Sequence, residues 1–239
     1  MARIARRWER GMTAEGLDLL RSAESILKQL DCDEAMLKAN IHVIIALLLQ
    51  DQGSVYFSES KERISKALEI REIFRRNTPK ARYTKNDDIL LHNAKSDYGC
   101  VLLQYNKYQE AESIFKECLV KYREWGRDEE IPYEHAKYNH HMAFCQMVKG
   151  NMIDAVKLAE RGVHFVTLAT GKGASCNTWK FDMACVILQS GDLGRALQVH
   201  KEVLNARLEH HGKSSFLTLQ SYYAVGAIHA YLNDQIAAE

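Results

Sequence analysis

Residues 106–113 read NKYQEAES, 151–158 read NMIDAVKL, 191–198 read GDLGRALQ and 233–239 read NDQIAAE. Aligned on one another, the four stretches place an alanine at the same point: Ala111, Ala155, Ala196 and Ala238. These alanines lie 44, 41 and 42 residues apart (111 to 155, 155 to 196, 196 to 238). Twelve residues before each stands another residue with little or no side chain: Gly99, Ala143, Ala184 and Gly226. A fixed period of this length marks an array of similar units, none of which buries its apolar face alone.

Beyond each alanine the apolar residues return at three- and four-residue spacing, as in Ala111, Ile114, Phe115, Cys118, Leu119 and Tyr122. That is the pattern of an amphipathic helix. Each such helix runs to a glycine, in YREWG (Gly126), TLATG (Gly171) and LEHHG (Gly212), where a left-handed C-cap is expected. One unit is therefore helix, short turn, helix. The two small positions mark where the paired helices cross, because only Gly, Ala or Ser lets their backbones approach. Upstream, residues 34–52 and 57–77 predict a hairpin with a longer turn around Gly53, with Ser60 in the alanine's place. Residues 13–30 predict one more helix. The expected organisation is a basic lead-in at 1–12 and one all-α repeat domain at 13–239. Its hairpins are 34–77, 88–126, 133–171 and 174–212, with an incomplete fifth at 213–239.

The composition agrees. Hydrophobic residues make up 46% of the 239, enough for a core. Only two are proline, which favours long helices and short turns. Lys+Arg of 32 against Asp+Glu of 31 leaves +1, without the basic excess of a nucleic-acid binder. The cysteines at 32, 100, 118, 145, 176 and 185 form no C-x-x-C pair and read as buried thiols of a reducing compartment. No apolar run approaches the ~20 residues needed to span a bilayer. Arg3, Arg6, Arg7 and Arg10 precede no apolar stretch, so they are no secretory signal, and Glu9, Glu15 and Asp18 disfavour a mitochondrial presequence. Cytoplasm is the expected location, and no membrane or nucleic-acid partner is expected.

The alternation of small residues across the crossing resembles the tetratricopeptide repeat. The phrase ALQVHKEVLNARLEHHGKSSFLTLQSYYAVGAIHAYLNDQIAAE (196–239) is similar to the kinesin-light-chain-like branch of that family, and SKALEIREIFRRN (65–77) shares the likeness. The resemblance covers residues 34–239. The chain departs from the common pattern in lacking an aromatic-leucine opening of each first helix and a proline near each repeat's end. Similar arrays form the tails of fungal nucleotide-binding receptor-like proteins. The resemblance implies a right-handed superhelical α-solenoid whose first helices line a concave groove. A protein or peptide partner is expected along that groove, with no cofactor and no catalysis.

With about 100° of turn per residue, the positions six and three before the small residue, and one and five after it, share a stripe beside the crossing. In four repeats that stripe supplies Asn93, Ser96 and Gln104; Lys137, His140 and Phe144; Thr178, Phe181 and Gln189; Gln220, Tyr223 and Tyr231. Amides suit an extended peptide's backbone and aromatics anchor its side chains. The competing reading packs Phe144, Phe181 and Cys185 against the next hairpin. Gly171-Lys172 and Gly212-Lys213-Ser214 are not phosphate loops, since Val166 and Arg207 stand where the motif needs glycine. His135, His140 and His141, and the pair His210 and His211, do not converge as zinc ligands. The basic run Arg71, Arg75, Arg76, Lys80, Arg82 and Lys85 reads as a solvated connector, with an acidic partner as the alternative. Two other classes of function stay open: a peptide-sensing or oligomerisation domain of a larger regulatory protein, and a repeat scaffold recruited as an enzyme on a small molecule. With no second helix to cover it, the apolar face of residues 214–233 is expected to self-associate or to be covered by further chain.

Overall fold

The structure, a computed structural model, describes residues 13–29, 34–127 and 129–232. The basic lead-in and the final alanine, Ala238, lie outside the described residues. Ten α-helices follow one another: α1 Thr13–Gln29, α2 Ala35–Asp51, α3 Phe57–Asn77, α4 Lys85–Gln104, α5 Tyr108–Trp125, α6 Pro132–Val148, α7 Met152–Thr170, α8 Ala174–Gln189, α9 Leu193–His211 and α10 Phe216–Tyr231. No strand occurs among the described residues. The chain is an all-α array of helix hairpins, α2/α3, α4/α5, α6/α7 and α8/α9, with α10 opening another. It divides into two compact units, α1–α5 and α6–α10. Within each, every helix packs on the next, and first helices also meet directly: α2 on α4, and α6 on α8.

The small residues sit at the crossings. A methyl group added at Gly99 would lie 2.4 Å from the Phe115 ring, so the ring from α5 packs directly on the α4 backbone there. Ala143 packs with Ala155 and Ala159, and Ala196 with Ile187 and Ile228. In the first hairpin the buried Ser60 takes the alanine's place and its hydroxyl donates to the Ala46 carbonyl at 2.9 Å. Ala46 stands fourteen residues before Ser60 instead of twelve, because a short 3-10 turn (Ser54–Tyr56) lengthens this connection.

From each crossing residue the second helix buries the positions four, seven and eleven later. These are Ser60, Ile64, Ala67 and Arg71; Ala111, Phe115, Cys118 and Tyr122; Ala155, Ala159, Gly162 and Val166; Ala196, His200, Val203 and Arg207. One face thus repeats in all four hairpins with i, i+4, i+7, i+11 spacing. Its last position carries two arginines, a tyrosine and a valine. Arg71 donates to Asn40 Oδ1 of α2 at 2.6 Å, and the Tyr122 hydroxyl to Asn93 Oδ1 of α4 at 3.2 Å. Arg207 reaches forward instead, donating through Nη1 to the Leu217 carbonyl (2.9 Å), Ser221 Oγ (2.8 Å) and Gln220 Oε1 (3.2 Å).

The hairpin turns share a left-handed residue five places before the alanine: Asn106 (φ 60°), Gly150 (φ 80°) and Gly191 (φ 90°). Asparagine tolerates this conformation better than other non-glycine residues, which is why it replaces glycine there. Gly171 and Gly212 end their helices with positive φ, as expected, but Gly126 does not. There the Lys85 ammonium donates to the Trp125 carbonyl at 2.7 Å, satisfying a terminal acceptor from α4. α4 begins at Lys85, three residues before the expected Asp88, because Thr84 and Asp87 form a reciprocal capping box.

Candidate peptide-binding face

In the second unit a chain of rings runs along the junction of α6 and α8. Tyr133 and Trp179 have centroids 6.4 Å apart, Trp179 and His140 4.5 Å, and His140 and Phe144 5.1 Å edge-on. Tyr133 is 44% exposed, while Trp179, His140 and Phe144 are half-buried. Burial pushes the His140 pKa down to about 4, so the ring is neutral near pH 7. Its Nε2 lies 3.5 Å from Asp182 Oδ2. On α10, Tyr223 and Tyr231 are 80% and 73% exposed, and Gln220 is exposed beside them.

The expected stripe therefore divides. His140, Phe144 and the half-buried Thr178 belong to the α6/α8 surface; Gln189, Gln220, Tyr223 and Tyr231 are exposed. Three others are interior. Phe181 is buried, with the Arg207 guanidinium 4.6 Å above its ring and His200 edge-on at 4.8 Å, both from α9 of its own hairpin and not from the next one. Lys137 and Ser96 are buried as well. In the first unit Gln104 is exposed, but the Asn93 amide is occupied by Tyr122. Phe181 and Asn93 are both engaged by the second helix of their own hairpin, α9 and α5, which reaches round to the stripe that a single helix leaves open.

Tyr133 and Trp179 are absent from the sequence-derived stripe for different reasons. Tyr133 lies on it, ten residues before Ala143, one turn beyond the positions taken. Trp179 sits five before Ala184, on the opposite flank of its helix, and meets His140 because it faces back toward α6. Such a row has one wall from each helix, while a stripe read on one helix describes a single wall.

Acid–base chemistry is poorly served here. Burial, then the Asp182 charge, pushes the Cys185 thiol up to about 11, which keeps it protonated and weakly nucleophilic. Among the described residues no three His, Cys, Asp or Glu side chains converge as a metal site. No described helix is long and apolar enough to cross a membrane. The basic connector is exposed at Arg75, Arg76, Lys80, Arg82 and Lys85, with Arg75 3.9 Å from Glu72.

The sequence matches no protein-family model and none of the curated proteins. Solved structures do resemble it. BtubC (BKLC) from P. vanneervenii superposes with a TM-score of 0.64 at 16% identity, over 97% of this chain and 86% of that one. A P. anserina kinesin-light-chain protein of nearly identical TPR-like repeats gives 0.58 at 15% identity, over 87% and 92%. The apo form of RapI gives 0.56 at 12% identity, over 99% and 91%. These likenesses define the class: the chain has the fold of a tetratricopeptide-type helical repeat protein, of the kind seen in kinesin-light-chain-like arrays.

Proposed function

We propose that the chain is a non-catalytic scaffold that holds an extended segment of a partner protein across the first helices of its second unit, α6, α8 and α10. The observation that carries this reading is the part-exposed series Tyr133, Trp179, His140 and Phe144, formed jointly by two successive first helices. Rings held by their neighbours lose little freedom on binding, and aromatic anchors supply much of the energy of protein recognition. The further aromatics on α10, Tyr223 and Tyr231, extend the same kind of surface by one repeat.

The test begins with a peptide selected against the intact chain from a random display library. Calorimetry with Tyr133→Ala and Tyr223→Ala should show each weakening that peptide roughly 30-fold, about 2 kcal/mol, with an unchanged helical dichroism spectrum. Affinity that survives both changes but falls when Arg75, Arg76 and Arg82 are replaced by Ala would move the site to the basic connector.

A further inference from the structure

Three first helices carry an amide six places before the small residue: Asn40 on α2, Asn93 on α4 and Gln220 on α10. Each amide oxygen accepts a hydrogen bond from the place eleven residues past a crossing on a second helix. Arg71 holds Asn40 Oδ1 at 2.6 Å, Tyr122 holds Asn93 Oδ1 at 3.2 Å, and Arg207 holds Gln220 Oε1 at 3.2 Å. Where that second-helix place carries Val166, which has nothing to donate, the first-helix place holds Lys137 and no amide. α8 has Thr178 there, and Arg207 reaches past it to α10.

An amide has an acceptor at one corner and a pair of donors at the other, and a surface amide can present either. A guanidinium only donates, so the corner that meets it is the oxygen. Arg71 and Arg207 are 2% and 1% exposed, which makes each a fixed support. The amide nitrogen is thereby turned away, and among the described residues neither Asn40 Nδ2 nor Gln220 Nε2 has a hydrogen-bond partner. Gln220 is exposed, three residues before Tyr223 on the same stripe. Asn40 stays half-buried with the further hairpin α4/α5 packed beyond α2, so this place remains reachable where the array continues. We infer that Arg207 is a positioning residue for recognition: it holds Gln220 so that the amide offers its N–H pair to a backbone carbonyl of the bound segment. The inference rests on the peptide-binding reading and names the group bound at one point of it. An extended segment supplies one such carbonyl per residue, whatever its sequence. A glutamine free to turn over matches donors and acceptors alike, whereas the held one discriminates against a donor.

Calorimetry with the display-selected peptide and the intact chain tests it. Gln220→Glu keeps the side-chain length and an oxygen for Arg207 but removes both N–H donors. It should weaken the peptide roughly tenfold while the melting temperature holds or rises. Arg207→Lys should weaken the peptide in the parent chain but not in a Gln220→Met background, whereas a merely structural role for Arg207 would act in both. Affinity that survives Gln220→Glu, a chain that this change destabilises, or an equal Arg207→Lys loss in both backgrounds would each overturn the inference. If Tyr133→Ala still weakens the peptide in those cases, the groove reading stands without it. A peptide indifferent to Tyr133→Ala and Tyr223→Ala would overturn both.

Discussion

His200 is fully buried, with neither ring nitrogen hydrogen-bonded and Phe181 edge-on at 4.8 Å. Burial, then the nearby Arg207 charge, pushes its pKa down to about 4 from an ordinary 6.5. The unfolded chain therefore holds this proton over a range where the folded chain has lost it. The stability this residue confers is complete above pH 6.5, declines as the pH falls, and stops declining below about 4. His140, also pushed down to about 4 by burial, acts in the same direction. Melting temperatures should drop between pH 7 and pH 5, and His200→Leu should make that slope shallower; an unchanged slope would assign the effect elsewhere. Phe181 and Tyr223 separate in the same way. Phe181→Ala removes a buried ring and should cost about 3–5 kcal/mol in chemical denaturation, whereas Tyr223→Ala on the surface should stay within about 0.5 kcal/mol. In the sequence the two occupy equivalent places and cannot be told apart. What separates them is Arg207, which lies over one ring and leaves the other open.

At the level of elements, the crossings were the most legible feature, because a close approach of two backbones leaves a mark that nothing else in a helix requires. Ala155 and Ala196 are both fully buried. Ala155→Leu or Ala196→Leu should overpack the crossing and cost about 1–3 kcal/mol, read as a shift in the denaturation midpoint. Gly99→Ala is a sharper test, since alanine gains about 1 kcal/mol in a helix interior and the sign depends on the Phe115 contact. With the added methyl 2.4 Å from that ring, the expected result is net destabilisation, relieved by pairing Gly99→Ala with Phe115→Leu. A stabilised Gly99→Ala would mean that the ring moves aside freely. Helix ends were less legible. Gly126 follows its helix as Gly171 and Gly212 follow theirs, yet a lysine forty residues earlier in the chain meets the terminal carbonyl instead, a contact no local pattern announces.

For the whole molecule, the order of the helices could be read from residue spacing, and the structure follows it. The binding face could be read only in part. Spacing assigns residues to one side of one helix, whereas the row of rings needs the forward side of α6 and the backward side of α8. The polar position at the end of each second helix has a consequence for how such arrays grow and shrink. Arg71 and Tyr122 find acceptors on their own hairpins, but the acceptors of Arg207 belong to α10. The first two hairpins are thus self-sufficient units of duplication, whereas the fourth shares its polar contacts with its successor. Excising residues 172–212 would keep the period but set Val166 where Arg207 stood, leaving Gln220 and Ser221 facing a hydrocarbon. Such a shortened chain should melt below the parent and recover part of the loss with Val166→Arg. Recombination in this lineage is then expected to move α8, α9 and α10 together, so that inheritance follows the hydrogen bonds and not the forty-odd-residue period.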